Sequence, residues 1–156
     1  MIKRIGFTVL AVLALSIAAQ AADMDSGTWV MNVAKSTSSN GNLPRSDRQV
    51  ISMDGGWMIL KSNGVNKDGN TTSRSSITKS DGVARPSLTH GPAAMLVTIT
   101  AIDDFHRKSV CIAITGKARM TQTVVISPDG KVKTRTNTGV DKDGKSFNNM
   151  QVFDKQ

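Results

Sequence analysis

A stretch of twenty residues recurs 75 positions further along the chain with its turns intact. Val50 to Gly69 and Val125 to Gly144 share ten of twenty residues without a gap, and most of the shared residues are those that turn a chain. Val50-Ile51-Ser52-Met53-Asp54-Gly55 stands against Val125-Ile126-Ser127-Pro128-Asp129-Gly130, and Gly64-Val65-Asn66-Lys67-Asp68-Gly69 against Gly139-Val140-Asp141-Lys142-Asp143-Gly144. Each unit reads as strand, Asp-Gly turn, a strand of about nine residues, Lys-Asp-Gly turn, strand. Asp-Gly between β-type runs signals a hairpin, because Gly supplies the positive φ that tight turns need. Two units are too few for a solenoid. They predict two related parts of one antiparallel meander.

The remaining punctuation agrees. Ser80-Asp81-Gly82, Asp103-Asp104 and Thr115-Gly116-Lys117 separate short runs rich in Val, Ile, Thr and Met. Reading outward from these turns predicts strands over 27–33, 48–54, 57–65, 71–79, 95–102, 108–114, 118–127, 131–139 and 146–154. Composition supports this: all 12 acidic residues are Asp, so the chain lacks Glu, a strong helix former. Eight or nine evenly spaced strands predict an all-β fold, an antiparallel up-and-down β-barrel whose closure removes exposed edges. Ala34 to Asp47 and Ala84 to Ala94, which carry the prolines Pro44, Pro86 and Pro92, are expected to be irregular loops.

The N-terminal segment reads as an address. Lys3 and Arg4 precede an apolar run from Phe7 to Ala19, and Ala19-Gln20-Ala21 offers the small residues of a cleavage site. A membrane span would need roughly 20 apolar residues. Residues 1–22 are therefore expected to be a secretory signal peptide and 23–156 a single exported domain, periplasmic or secreted, without a transmembrane anchor. Loss of Lys3 and Arg4 takes the formal charge from +8 to +6.

Gly27-Thr28-Trp29 resembles the Gly-x-Trp that opens the first strand of lipocalins and related calycins. In those proteins the Trp plugs one end of the barrel, usually beneath an Arg from a late strand. The longer run Ser26-Gly27-Thr28-Trp29-Val30-Met31-Asn32-Val33-Ala34-Lys35-Ser36 resembles the opening of small, uncharacterised secreted bacterial proteins. So do the turn Val140-Asp141-Lys142-Asp143-Gly144-Lys145 and the closing run Asn149 to Gln156. The resemblance covers most of the mature chain, with Ala84 to Ala94 departing from it. It implies a lipocalin-like barrel with Gly27 and Trp29 as its structural plug. It supplies no activity, since fold analogy does not fix function.

Catalytic and metal constellations are sparse. The single cysteine, Cys111, lies in an apolar run and excludes an internal disulfide and any Cys-based zinc site. His106 is five residues away, so in one strand the two would point to opposite faces. Ser87 and His90, or Asp103, Asp104 and His106, are loop neighbours that match no triad motif. Asn66 to Asn70 and Asp141 to Lys145 resemble half of a calcium loop, but no Glu closes them. They are expected to be plain hairpin turns. Met24, Met31, Met53, Met58, Met95, Met120 and Met150 are spread about one per strand and lack the clustering of a copper site. No cofactor, metal or catalytic residue is expected, and with few aromatics nucleic acid is not an expected partner.

Two binding readings remain. In the first, the barrel holds a small apolar or amphipathic ligand, with Trp57, Ile59, Leu96, Ile112, Val124 and Phe153 as candidate lumen residues. In the second, an outward basic stripe meets an anionic envelope component. Lys131, Lys133 and Arg135 alternate along one predicted strand and so share a face. Three like charges are costly in an apolar lumen, so that face is expected to point outward, with Val132, Thr134 and Thr136 pointing in. A ligand cavity of roughly 300 Å³ or more would favour the first reading.

Overall fold

The computed structural model describes residues 24–87, 95–114 and 117–156. The expected signal peptide, most of the Ala84 to Ala94 segment, including His90, and the turn residues Thr115 and Gly116 lie outside the described residues.

The described chain forms ten antiparallel strands: β1 (Gly27–Ser38), β2 (Ser46–Asp54), β3 (Trp57–Val65), β4 (Thr71–Lys79), β5 (Arg85–Pro86), β6 (Met95–Ala101), β7 (His106–Ala113), β8 (Arg119–Ile126), β9 (Val132–Val140) and β10 (Ser146–Lys155). They build one sheet in the order β4-β3-β2-β1-β10-β9-β8-β7-β6-β5. Chain neighbours pair throughout except at β4 and β5, and β1 pairs with β10 to join the two meanders. The sheet curls around an interior, since Lys133 on β9 reaches Gln49 on β2 at 3.0 Å and Arg107 on β7 reaches Met58 on β3 at 3.0 Å.

Three expectations are corrected here. There are ten strands rather than eight or nine, the extra one being the two-residue β5 within a stretch expected to be irregular. Closure is also incomplete among the described residues, because no ladder joins β4 to β5. The strand β1 runs further than expected, through Ser38, because a bulge lets it continue. Register against β10 shifts between Asn32 and Thr37. The Ser36 hydroxyl fills the gap, accepting from Val152 N at 3.0 Å and donating to Asn32 O at 2.7 Å. A bulge leaves ladder groups unpaired unless a side chain serves them, and Ser36 does so.

The internal repeat corresponds to β2-β3-β4 and β8-β9-β10. Its second turn is built identically in both copies. The side-chain oxygen of Asn66 accepts from the N–H of Asp68 and Asn70, and that of Asp141 accepts from the N–H of Asp143 and Lys145. These Asx turns explain why Asn or Asp, then Asp-Gly, recurs. The glycine that opens each match has a different reason. A Cβ on Gly64 would lie 2.2 Å from the Ser46 carbonyl oxygen, and one on Gly139 would lie 2.1 Å from that of Arg119. Each strand crosses a neighbouring backbone too closely for any side chain.

The apolar core fills one half of the interior. Trp29, Met31, Ile51, Met58, Leu60, Ile99, Val124, Ile126 and Phe153 form one cluster. They come from six strands at alternate positions, as a curled sheet with one inward face requires.

Candidate functional site

The interior has a packed end and an open end. At the packed end Trp29 and Phe153 are fully buried. The Trp29 indole N–H donates to Asp25 O at 2.8 Å, so the residues just before β1 fold under it. Lys133 Nζ sits 4.6 Å from the Trp29 ring centre and 5.2 Å from that of Phe153, and Lys155 Nζ lies 5.1 Å from the Trp29 ring. The calycin resemblance implies an Arg at this place. Here the cations over Trp29 are lysines, while Arg135 from the late strand β9 lies 5.0 Å from the Phe153 ring centre; ring faces attract both kinds of cation.

A charged network runs from this end toward the other. The Asp25 carboxylate is buried, ion-paired to Arg107 and 3.3 Å from Lys133 Nζ. Burial by itself would raise the Asp25 pKa, but the Arg107 and Lys133 charges outweigh it and hold the carboxyl below its usual value. Burial dominates for Lys133, whose pKa is pushed down to about 8 despite Asp25. Lys133 donates to the Gln49 carbonyl oxygen at 3.0 Å, and Gln49 in turn donates to Asp47 at 2.8 Å. Asp47 also accepts from Ser62 at 2.6 Å, and Arg135 Nη2 approaches it at 3.5 Å. Arg135 is otherwise held on Gln151 by bonds of 3.0 and 2.6 Å from Nε and Nη2 to one oxygen. Burial, then the nearby Arg74 charge, lowers the Arg135 pKa to about 10.

Above this network lies a cavity of about 350 Å³. Asp47 and Ser62 line it from β2 and β3, Thr72 and Arg74 from β4, Met120 and Gln122 from β8, Arg135 and Asn137 from β9, and Asn149 and Gln151 from β10. Leu43 and Pro44 of the β1–β2 loop complete the wall. Most of the side chains that face this space are therefore polar, with Leu43, Pro44 and Met120 as its apolar patches.

This geometry overturns the expected direction of the basic stripe. Lys131 is exposed, but Lys133 is 3% exposed and the Arg135 side chain 11%. The two point inward, while Val132, Thr134 and Thr136 lie on the opposite face. The charges can be buried because the interior is not apolar: Asp25, Asp47, Gln49 and Gln151 are there to receive them. These partners lie 16 or more residues away in sequence, two of them 84 and 88 away, outside any local pattern. The lumen list is corrected in the same way. Val124 and Phe153 are buried, but Trp57, Leu96 and Ile112 are exposed, and Ile59 shares Trp57's face of β3. Trp57 lies instead on the outside, with Arg85 5.3 Å and Lys79 5.7 Å from its ring centre. Met58 and Leu60, not their neighbours, face the core. Because the repeat aligns β3 with β9, one phase error turned both strands.

The remaining candidates lie apart from the cavity. His106 Nδ1 pairs with Asp103 at 2.7 Å on an exposed turn, where Asp103 also accepts from the N–H of Phe105 and His106. Cys111 is buried, and burial raises its thiol pKa, which opposes the thiolate form. The sequence signal for the site itself lay in β2, where Asp47 and Gln49 alternate with Arg48 and Val50 ahead of buried Ile51.

No protein-family model matches the chain, and no curated protein matches it in sequence. Solved structures do align with it. A redesigned β-barrel, mFAP1, bound to DFHBI, aligns over 88% of this chain and 100% of its own, with 13% identity and a TM-score of 0.46. EF1p2_mFAP2b bound to DFHBI covers 88% of this chain and 98% of its own, at 12% identity and a TM-score of 0.48. Lobster apocrustacyanin A1 aligns over 86% of this chain and 62% of its own, at 15% identity and a TM-score of 0.40.

Proposed function

We propose that the protein is an exported, non-catalytic binding protein of lipocalin-like type that holds a small amphipathic ligand in the open half of its curled sheet. The observation that carries this reading is the cavity itself. It measures about 350 Å³ and is lined from six strands, while the opposite half of the interior is filled by Trp29, Phe153 and their neighbours. That volume lies within the range of small-molecule sites. Of the ligands expected from the sequence, a purely apolar one suits the lining poorly, because Arg135, Gln151 and Asn137 would lose water without gaining partners. An amphipathic ligand meets both the polar wall and the apolar patches at Leu43, Pro44 and Met120. The exposed Asp103–His106 pair and the Cys111 thiol lie outside this lining, so the groups in contact with the ligand bind and orient it.

The test is native mass spectrometry of the protein purified from its own source. A bound mass that is released on denaturation is expected. Protein that stays empty, and takes up neither of the two fluorescent probes described below, would overturn the reading.

A further inference from the structure

The lining of the cavity is unbalanced, both in charge and in hydrogen-bonding sense. Arg107, Lys133 and Arg135 carry three positive charges inside the sheet, against two carboxylates, Asp25 and Asp47. Arg74 adds a fourth cation at the cavity wall, with no carboxylate within ion-pair distance of it among the described residues. Asp25 is engaged at the packed end, so among the described residues Asp47 is the only carboxylate lining the cavity. Both its oxygens are taken, Oδ1 by Ser62 at 2.6 Å and Oδ2 by Gln49 at 2.8 Å, leaving Arg135 a long 3.5 Å contact.

The asparagines tilt the same way. Asn137 uses its carbonyl oxygen to accept from Gln122 at 2.8 Å, and Asn149 uses its own to accept from Ser38 at 2.9 Å and Ser39 N at 3.1 Å. Asn66 likewise accepts from the N–H of Asp68 and Asn70. An Asn whose oxygen is spent has its amide N–H groups left to donate. Three asparagines and two arginines of the lining therefore offer donors, while the oxygens of Asp47, Asn66, Asn137 and Asn149 are already occupied.

We infer that the cavity recognises the anionic end of its ligand, a carboxylate or a phosphate monoester, held by Arg135 and Arg74 with amide N–H groups of Asn137 and Asn149 completing the contact. Guanidinium groups match both anions with paired donors, and an anion between two cations relieves their repulsion. The apolar remainder of the ligand lies against Leu43, Pro44 and Met120. The assignment rests on the binding reading above and narrows it to one ligand chemistry.

Two fluorescent probes test it. 8-Anilinonaphthalene-1-sulfonate and N-phenyl-1-naphthylamine share one aromatic frame and differ in the sulfonate. The anionic probe is expected to bind at least about tenfold more tightly, with affinity falling as salt rises. Arg74→Asn should lower the affinity of the anionic probe about tenfold and leave that of the neutral probe unchanged. Displacement by benzoate or by phenyl phosphate, but not by benzamide, would support the assignment, and the more effective of the two would tell carboxylate from phosphate. Equal affinity for the two probes would overturn the anion assignment and leave the binding reading standing. An anionic probe indifferent to Arg74→Asn, or displaced equally by benzamide, would also overturn it. Failure of both probes to bind would overturn it together with the binding reading.

Discussion

In the segment β2-β3-β4 the inward positions of the middle strand carry Met58 and Leu60, whereas in β8-β9-β10 the equivalent positions, 75 residues on, carry Lys133 and Arg135. The strand before shows the reverse. Asp47 and Gln49 on β2 correspond to Gln122 and Val124 on β8. The second turn, its Asx hydrogen bonds and the close-packed glycines recur in both copies, while the first turn differs: Asp54 pairs with Trp57 across two residues, whereas Ile126 pairs with Lys133 across a longer turn. What differs is complementary: the cations of β9 meet the acceptors of β2 across the interior, at 3.0 Å for Lys133–Gln49 and 3.5 Å for Arg135–Asp47. A backbone held by turn chemistry left the inward residues free to specialise as a pair.

The charged copy depends on one carboxylate that belongs to neither copy. Asp25 holds Arg107 and Lys133 together at the packed end. Asp25→Asn would leave both cations buried without an anion, and the expected loss is about 3–5 kcal/mol in urea unfolding. Adding Lys133→Met, which installs the residue that Met58 supplies in the other copy, should recover part of that loss. An unchanged midpoint for the single variant would show that the cations are hydrated, and the contrast between the copies would lose its electrostatic basis.

The shared scaffold makes a second, smaller demand. Gly64→Ala and Gly139→Ala each drive a methyl group into a neighbouring carbonyl oxygen, at 2.2 and 2.1 Å respectively. Each should cost about 2–3 kcal/mol, as overpacking does. The two losses should agree closely. If one substitution proved silent, the copies would not be structurally equivalent at that crossing.

The scaffold was largely legible in the sequence, and the site was not. Turn residues act locally, so Asp54-Gly55, Lys67-Asp68-Gly69 and Lys142-Asp143-Gly144 announced their hairpins, and the strands 57–65 and 71–79 are those observed. Strand phase was harder to read. In β9 a charge at every second residue, Lys131, Lys133 and Arg135, looks like a solvated face when the cost of burial is counted without partners. Only Lys131 is exposed. Asp25, which balances Lys133, lies 108 positions away, in a turn no strand pattern covers. The repeat carries a clue to the phase: one of two aligned strands carrying Met and Leu where the other carries Lys and Arg implies either two faces or a polar interior.

The buried lysine also makes the two copies respond differently to pH. An ordinary Lys titrates near 10.5 in the unfolded chain, while Lys133 titrates near 8 in the fold. Between these values the unfolded state binds more protons, so stability rises with pH across that window. The expected gain is about 2 kcal/mol from pH 8 to 10. Cys111 opposes it above pH 9, because its folded pKa is raised and its unfolded chain loses a proton first. The comparison of wild type with Lys133→Met isolates the lysine, and the rise should vanish in the variant. A rise that persists would assign the effect to other groups.

The smallest expected effect falls at Arg74, and it separates holding the fold together from holding a ligand. Arg74 on β4 corresponds by the repeat to Asn149 on β10, and both line the cavity. Unlike Lys133 and Arg135, Arg74 is exposed and has no carboxylate at ion-pair distance among the described residues. Its guanidinium therefore contributes little to the folded state. Nearby Arg135 even pays a small penalty for it, since the Arg74 charge is among the causes that lower the Arg135 pKa. Arg74→Asn, which makes the two copies identical at this position, should change unfolding stability by no more than about 0.5 kcal/mol. Relief of the repulsion with Arg135 favours a slight gain over a loss. A drop well beyond that range would mean that Arg74 is a structural cation like Lys133, and the division between a packed charged end and an open binding end would fail at this residue. A small change in stability, together with the tenfold loss of the anionic probe, would place the whole cost of the substitution in binding.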